Sequence, residues 1–188
     1  MCPMNVEITP NMRQQALGFA ENIILGNNQF DRLPNTVAVR IQRTCVGKLG
    51  ELVFAQALLN RGGNVDFEPM FAIFEGQNNV DGFDFETNNN QTVDIKTGFR
   101  ANHQRLMVNV QQLNDPKDYY VGIKLNAQDD NPRESIVDLD SINTATIYGY
   151  ATHNTLVNTN QPQYFGEGDA YWLRYSDLRD INELLGHF

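Results

Sequence analysis

A chain of 188 residues and 21.4 kDa is long enough for one hydrophobic core and too short for two. With 41% hydrophobic and 20% charged residues it has the composition of a self-folding globular domain, not of a disordered tail. A net charge of −9 and a pI near 4.7 exclude a protein that coats nucleic acid through bulk positive charge, so any nucleic-acid contact is local.

Thr9-Pro10 supplies an N-cap followed by proline at the first helical position. Met12, Leu17, Phe19, Ala20, Ile23 and Ile24 follow on one broad face, which predicts a helix over 10–25 ended by Gly26-Asn27-Asn28. A second helix is expected over 35–60, with Val39, Val46, Leu49, Val53, Ala57 and Leu58 at near-helical spacing and Arg61-Gly62-Gly63 as its stop. Gly47 and Gly50 interrupt it. Each costs about 1 kcal/mol relative to alanine there, so the pair signals either close approach of another backbone or a break between two shorter helices.

The period then changes. Runs rich in Val, Ile, Phe, Tyr and Thr at 65–74, 80–87, 92–98, 119–125, 144–152 and 170–175 are separated by Asn, Gly, Pro and Asp clusters and read as strands. Asn88-Asn89-Asn90-Gln91 tolerates a tight turn, so 80–87 and 92–98 are expected to pair as an antiparallel hairpin. Residues 103–114 suit either a strand or a short helix, and Ser176 is read as the cap of a last helix carrying Leu178, Ile181, Leu184 and Leu185. The elements predict one α/β domain over 1–188, with a central mixed sheet flanked by helices. Cys2 and Cys45 support neither a zinc site nor a disulfide framework. No basic leader and no run near 18 apolar residues is present, so the expectation is a soluble, cytoplasmic protein with no membrane partner.

The chemistry lies in Val80-Asp81-Gly82-Phe83-Asp84-Phe85 and Thr92-Val93-Asp94-Ile95-Lys96-Thr97. Alternation along a strand puts Asp94 and Lys96 on one face and Val93, Ile95 and Thr97 on the other. If the hairpin closes, Asp84 joins the first face, and two carboxylates meet one ammonium. Such carboxylates repel, and a hard divalent cation relieves the repulsion; magnesium takes one or two carboxylates and keeps several waters. An ammonium beside the metal orients or helps deprotonate an attacking water and offsets charge on phosphoryl oxygens. Asp81 competes with Asp84 for the ligand role but faces the other way in a regular strand.

An acid-bearing helix, an Asp-containing strand and a strand with acid-x-Lys, in that order, resemble the PD-(D/E)XK nuclease superfamily of restriction endonucleases and junction resolvases. Gly82-Phe83-Asp84-Phe85 matches its first metal-ligand segment and Asp94-Ile95-Lys96 its acid-x-Lys strand. Gly47-Lys48-Leu49-Gly50-Glu51 is similar to the helical stretch that supplies a glutamate. The resemblance covers about 45–125 and implies a restriction-endonuclease-like core at 36–125 and an endonuclease acting on DNA, often as a homodimer. It also implies Mg²⁺, with Mn²⁺ substituting, bound by Asp84, Asp94 and Glu51, and Lys96 acting on water. Aspartate stands at 94 where glutamate is commoner in that superfamily.

Between residues 62 and 95 every ionised side chain is acidic, while Arg40, Arg43, Lys48 and Arg61 precede this stretch and Arg100, His103, Arg105, Lys117 and Lys124 follow it. Phosphates held at basic rims around a central metal would fit this order, with Lys48, Arg100, His103 and Arg105 as substrate contacts. His153 with Glu167 and Asp169 lacks metal-ligand spacing and reads as loop. Tyr164, Phe165, Tyr171 and Trp172 read as core, and the absence of a Gly-x-x-x-x-Gly-Lys-Ser/Thr string disfavours nucleotide-triphosphate hydrolysis. Two rival functions remain at this level: a non-catalytic partner-binding protein on the same fold, and a nuclease of RNA.

Overall fold

The computed structural model describes residues 2–26, 36–72, 82–127, 138–166 and 168–188. Helix α1, Pro10–Leu25, starts where Thr9 Oγ1 accepts the Met12 N–H at 3.2 Å, and it buries Met12, Ala16, Ala20 and Ile24. Helix α2, Val37–Leu59, is capped by Thr36 and continues unbroken through both glycines. Close approach holds at Gly50 alone: a Cβ there would stand 1.9 Å from Thr97 Oγ1, whereas nothing lies within 4 Å of one at Gly47.

The strands are β1 Met4–Glu7, β2 Phe85–Glu86, β3 Thr92–Gly98, β4 Arg105–Asn109, β5 Tyr119–Leu125, β6 Thr144–Thr152, β7 Gln163–Tyr164 and β8 Asp169–Arg174. Five form a mixed sheet in the order β1-β6-β5-β3-β2, parallel only between β3 and β5; β4, β8 and β7 form a second, antiparallel sheet. Alternation on β5 sorts the two faces. Tyr119, Val121, Ile123 and Leu125 enter the core beneath α1, α2 and the short helix α4, once α3, His153–Thr159, and α4, Ile181–Leu185, are placed. Tyr120 enters a second core with Leu106, Val108, Leu156 of α3, Leu173 and Tyr175. The fold is therefore mixed α/β, with helices on one face of the large sheet and the small sheet plus α3 on the other.

Several expectations change in detail. The expected strand over 65–74 is a 3-10 turn at Pro69–Phe71, with 73–81 outside the described residues. The expected strand over 80–87 shrinks to two residues, and 103–114 is both alternatives in succession, β4 followed by a 3-10 turn at Val110–Asn114. The last helix starts at Ile181 under an Asp180 cap instead of at Ser176. Neither β1 nor α3 is foreseen by the sequence reading. Among the described residues no helix is long and apolar enough to cross a membrane.

Candidate active site

The β2–β3 hairpin closes through the Asn-rich turn, where Asn90 takes φ 58°, a left-handed conformation that asparagine tolerates better than most side chains. The register pairs Phe85 with Val93 and Glu86 with Thr92. Upstream of Phe85 the edge strand stops, and β3 would be left with an unpaired N–H at Ile95. Asp84 fills the gap: its own N–H donates to the Val93 carbonyl at 3.0 Å, and its Oδ2 accepts the Ile95 N–H at 2.6 Å. The carboxylate thus does the work of the missing strand and stands at the rim of the sheet.

Asp94 and Lys96 leave β3 on the face away from α2, since Val93 and Ile95 are in the helical core. Their carboxylate and ammonium pair at 2.6 Å, with side chains 18% and 17% exposed. The Asp94 charge also reaches Tyr120, whose phenol is pushed up by burial first and by this acid among smaller causes. Glu51 arrives from the other side. The absence of a side chain at Gly50 lets α2 settle onto Thr97 of β3, and Glu51 is the next residue along. Its carboxylate is bound by Lys48, which also donates to the Met70 carbonyl and lies 4.3 Å from the ring centre of Phe19.

Asp84 is where these groups meet. Burial holds its carboxyl well above the usual carboxylate range, the charges of Glu51 and Asp94 push it further, and the Ile95 N–H and Lys96 pull it back only in part. Glu51 thus comes from the helical face and Asp94 with Lys96 from the opposite face, and Asp84 stands at the rim between them, within electrostatic reach of all three. Among the described residues no three His, Cys, Asp or Glu side chains are gathered to hold one metal ion. The donor set is nonetheless all carboxylate oxygen, the preference of a hard cation, and magnesium requires only one or two such ligands besides water.

The expected phosphate contacts part company. Lys48 is 6% exposed and engaged with Glu51, Met70 and Phe19, so it holds an acid in place inside the protein. His103 is half-buried, and its Nδ1 accepts the N–H groups of Phe99 at 3.1 Å and Arg100 at 3.3 Å, closing the turn after β3. Arg100 lies against Phe99, its Cζ 5.1 Å from the ring centre. Arg105 is exposed at the start of β4, over Trp172 and Phe165. The sequence reading missed Arg174, which stands opposite Arg105 in the β4–β8 pair; no local pattern marks it, because the partnership spans two strands far apart in the chain. His153 opens α3 and is not in a loop, while Asp81 and Glu167 lie outside the described residues.

Comparison of the chain with protein-family models, with curated proteins and with solved structures finds no match.

Proposed function

We propose that this protein is a Mg²⁺-dependent endonuclease that hydrolyses phosphodiester bonds in DNA. One observation carries the reading: the half-buried Asp84 carboxylate, held on the Ile95 N–H at 2.6 Å, lies within electrostatic reach of two other carboxylates and of the Lys96 ammonium. Left alone, that arrangement is costly, and a divalent cation among the acids offsets the cost. Mg²⁺, or Mn²⁺ in its place, would supply Lewis acidity at a phosphoryl oxygen and a lowered pKa for the attacking water. Asp84 and Asp94 would hold it. Glu51, steadied by Lys48, would complete the shell or orient a water from the helical side. Lys96, beside Asp94 on β3, would orient the nucleophile and offset charge developing on the phosphate. The motif order along the chain, which resembles the PD-(D/E)XK superfamily, supports the same assignment, and a homodimer with two such edges would cut both strands of a duplex.

The test is nicking of supercoiled plasmid with Mg²⁺, with Mn²⁺ and with EDTA, alongside an RNA substrate. Cleavage of the plasmid in either metal and none in EDTA is expected. Lys96→Ala is expected to fold normally and lose about a hundredfold or more in rate, the scale of removing a positioned acid–base or charge-stabilising group. An undiminished rate in that variant refutes the assignment, and preferential digestion of RNA changes the substrate.

A non-catalytic scaffold is favoured by a different observation, the neutralisation of Asp94 by Lys96 and of Glu51 by Lys48 without any cation. Metal titration separates the two readings: an active site binds Mg²⁺ or Mn²⁺ and loses that binding in Asp84→Asn, whereas a scaffold responds in neither form.

A further inference from the structure

We propose that a cleft outside the acidic edge binds a phosphate group of a nucleic acid between Arg105 and Arg174. The cleft, about 500 Å³ in volume, opens where the ends of β4 and β8 approach β6, and it is lined by Gln104, Arg105, Tyr148, Arg174, Tyr175 and Ser176 among others. Arg105 and Arg174 are direct partners in the β4–β8 register and both are exposed. Cβ atoms so placed are about 4.5–5.5 Å apart, a separation at which like charges repel. Among the described residues neither arginine has an acidic partner within ion-pair distance. Two opposed cations with no ion-pair partner among the described residues are the complement of an anion. In a chain of net charge −9 they mark a place where a polyanion can still approach.

The chemistry of the cleft favours phosphate. The Arg105 guanidinium lies 4.8 Å from the ring centre of Trp172 and 5.5 Å from that of Phe165, so aromatic faces flank it, and among the described residues no acceptor engages its N–H groups. A guanidinium flanked in this way presents paired donors that match phosphate oxygens. Tyr148 stacks on Tyr175 at 4.3 Å and 6°, and the Tyr175 hydroxyl donates to the Ile123 carbonyl at 3.4 Å, so one wall is rigid. The Ser176 hydroxyl is engaged with the Asp177 carboxylate at 3.0 Å, and the two arginines are the cationic groups of the lining.

The cleft shares a face of the large sheet with Lys96. Gly122 is the lateral neighbour of Lys96, and a Cβ there would meet Tyr175 Cε1 at 3.1 Å. The nucleic-acid source of the phosphate rests on the phosphodiesterase reading; the phosphate chemistry does not. Pyrophosphate titrated into the full chain in EDTA at constant ionic strength is expected to raise the melting temperature saturably. Arg174→Gln, and separately Arg105→Gln, are expected to weaken that binding about tenfold, the scale of one lost charge-assisted contact. Without ligand, Arg174→Gln is expected to melt no lower than the wild type, because one of two opposed charges is gone.

A 5′-phosphorylated oligonucleotide and its 5′-hydroxyl counterpart are then competed against pyrophosphate. Displacement by both identifies backbone diesters as the source, and displacement by the phosphorylated form alone identifies a terminal phosphate. No saturable shift in the wild type, a shift in both arginine variants as large as the wild type's, or failure of both oligonucleotides to compete overturns the proposal. Asp84→Asn is expected to bind pyrophosphate like the wild type, so loss of the metal-dependent reading and loss of this one are separate results.

Discussion

Asp84 combines two duties that pull in opposite directions. As an acceptor for the Ile95 N–H it completes β3, and as a half-buried anion beside Glu51 and Asp94 it is unfavourable. Removing each duty separately gives changes of opposite sign. Asp84→Asn keeps an oxygen for Ile95 and drops the like charge, so in EDTA it is expected to stabilise the fold by about 1 kcal/mol, roughly 2–4 °C in Tm at this length. Asp84→Ala leaves the Ile95 N–H without its partner and is expected to cost about 1–3 kcal/mol. Thermal melts of the two variants check both signs, and equal shifts would show that the hydrogen bond and the charge are not separable. That Asp94 and Lys96 share a face of β3 was legible in the sequence because strand alternation is a local rule. Lys48 was not: a lysine next to a proposed site reads as a phosphate contact, and only the placement of Phe19 and Met70 around it shows it to be internal.

The contact of α2 with β3 turns on a single missing side chain. Sequence alone left close approach and helix breakage open for Gly47 and Gly50 together, and packing divides them. At Gly47 alanine meets open space, so Gly47→Ala is expected to gain up to about 1 kcal/mol of helix propensity. At Gly50 the same gain is outweighed by collision with Thr97, an overpacking cost of about 1–3 kcal/mol, and Thr97→Ala in the same chain is expected to recover part of the loss. Chemical denaturation of the three variants measures this directly. Because Glu51 follows Gly50, Gly50→Ala also shifts an acid of the proposed site. The elements missed from the sequence are those with little buried surface to announce them. Strand β1 buries only Val6 of its four residues, and α3 buries only Leu156 of its seven. The run at 65–74 was misread because Phe71 is apolar for a different reason, an edge-to-face contact with Phe19 of α1 at 5.9 Å.

At the scale of the whole molecule, the two cores on either side of the large sheet bury groups that ionise only at high pH. Burial, with the hydrogen bond to Glu183 as a smaller cause, pushes Tyr150 from 10.0 up to about 12, and burial raises Tyr175 as well. The Cys45 thiol is pushed from 9.0 up to about 11, by burial first and the Glu21 charge second. A folded pKa above the unfolded value means that the folded state holds the proton more tightly. The contribution is then intact below the unfolded values and is lost as pH rises through the folded ones. The melting temperature is therefore expected to hold to about pH 9 and to fall between pH 10 and 12, with phenolate absorbance appearing together with unfolding; phenolate formed well before the loss of structure would contradict this. The sequence by itself determined the mixed α/β character, the two long helices, the β3, β5 and β6 boundaries and the alternation that pairs Asp94 with Lys96, because period, caps and turn residues act over a few positions. Tertiary structure alone decided that β2 ends early enough for Asp84 to take its place, that Lys48 turns inward to Glu51, and that Arg105 meets Arg174. Each of these depends on which distant segments become neighbours, and no local rule of the chain encodes that.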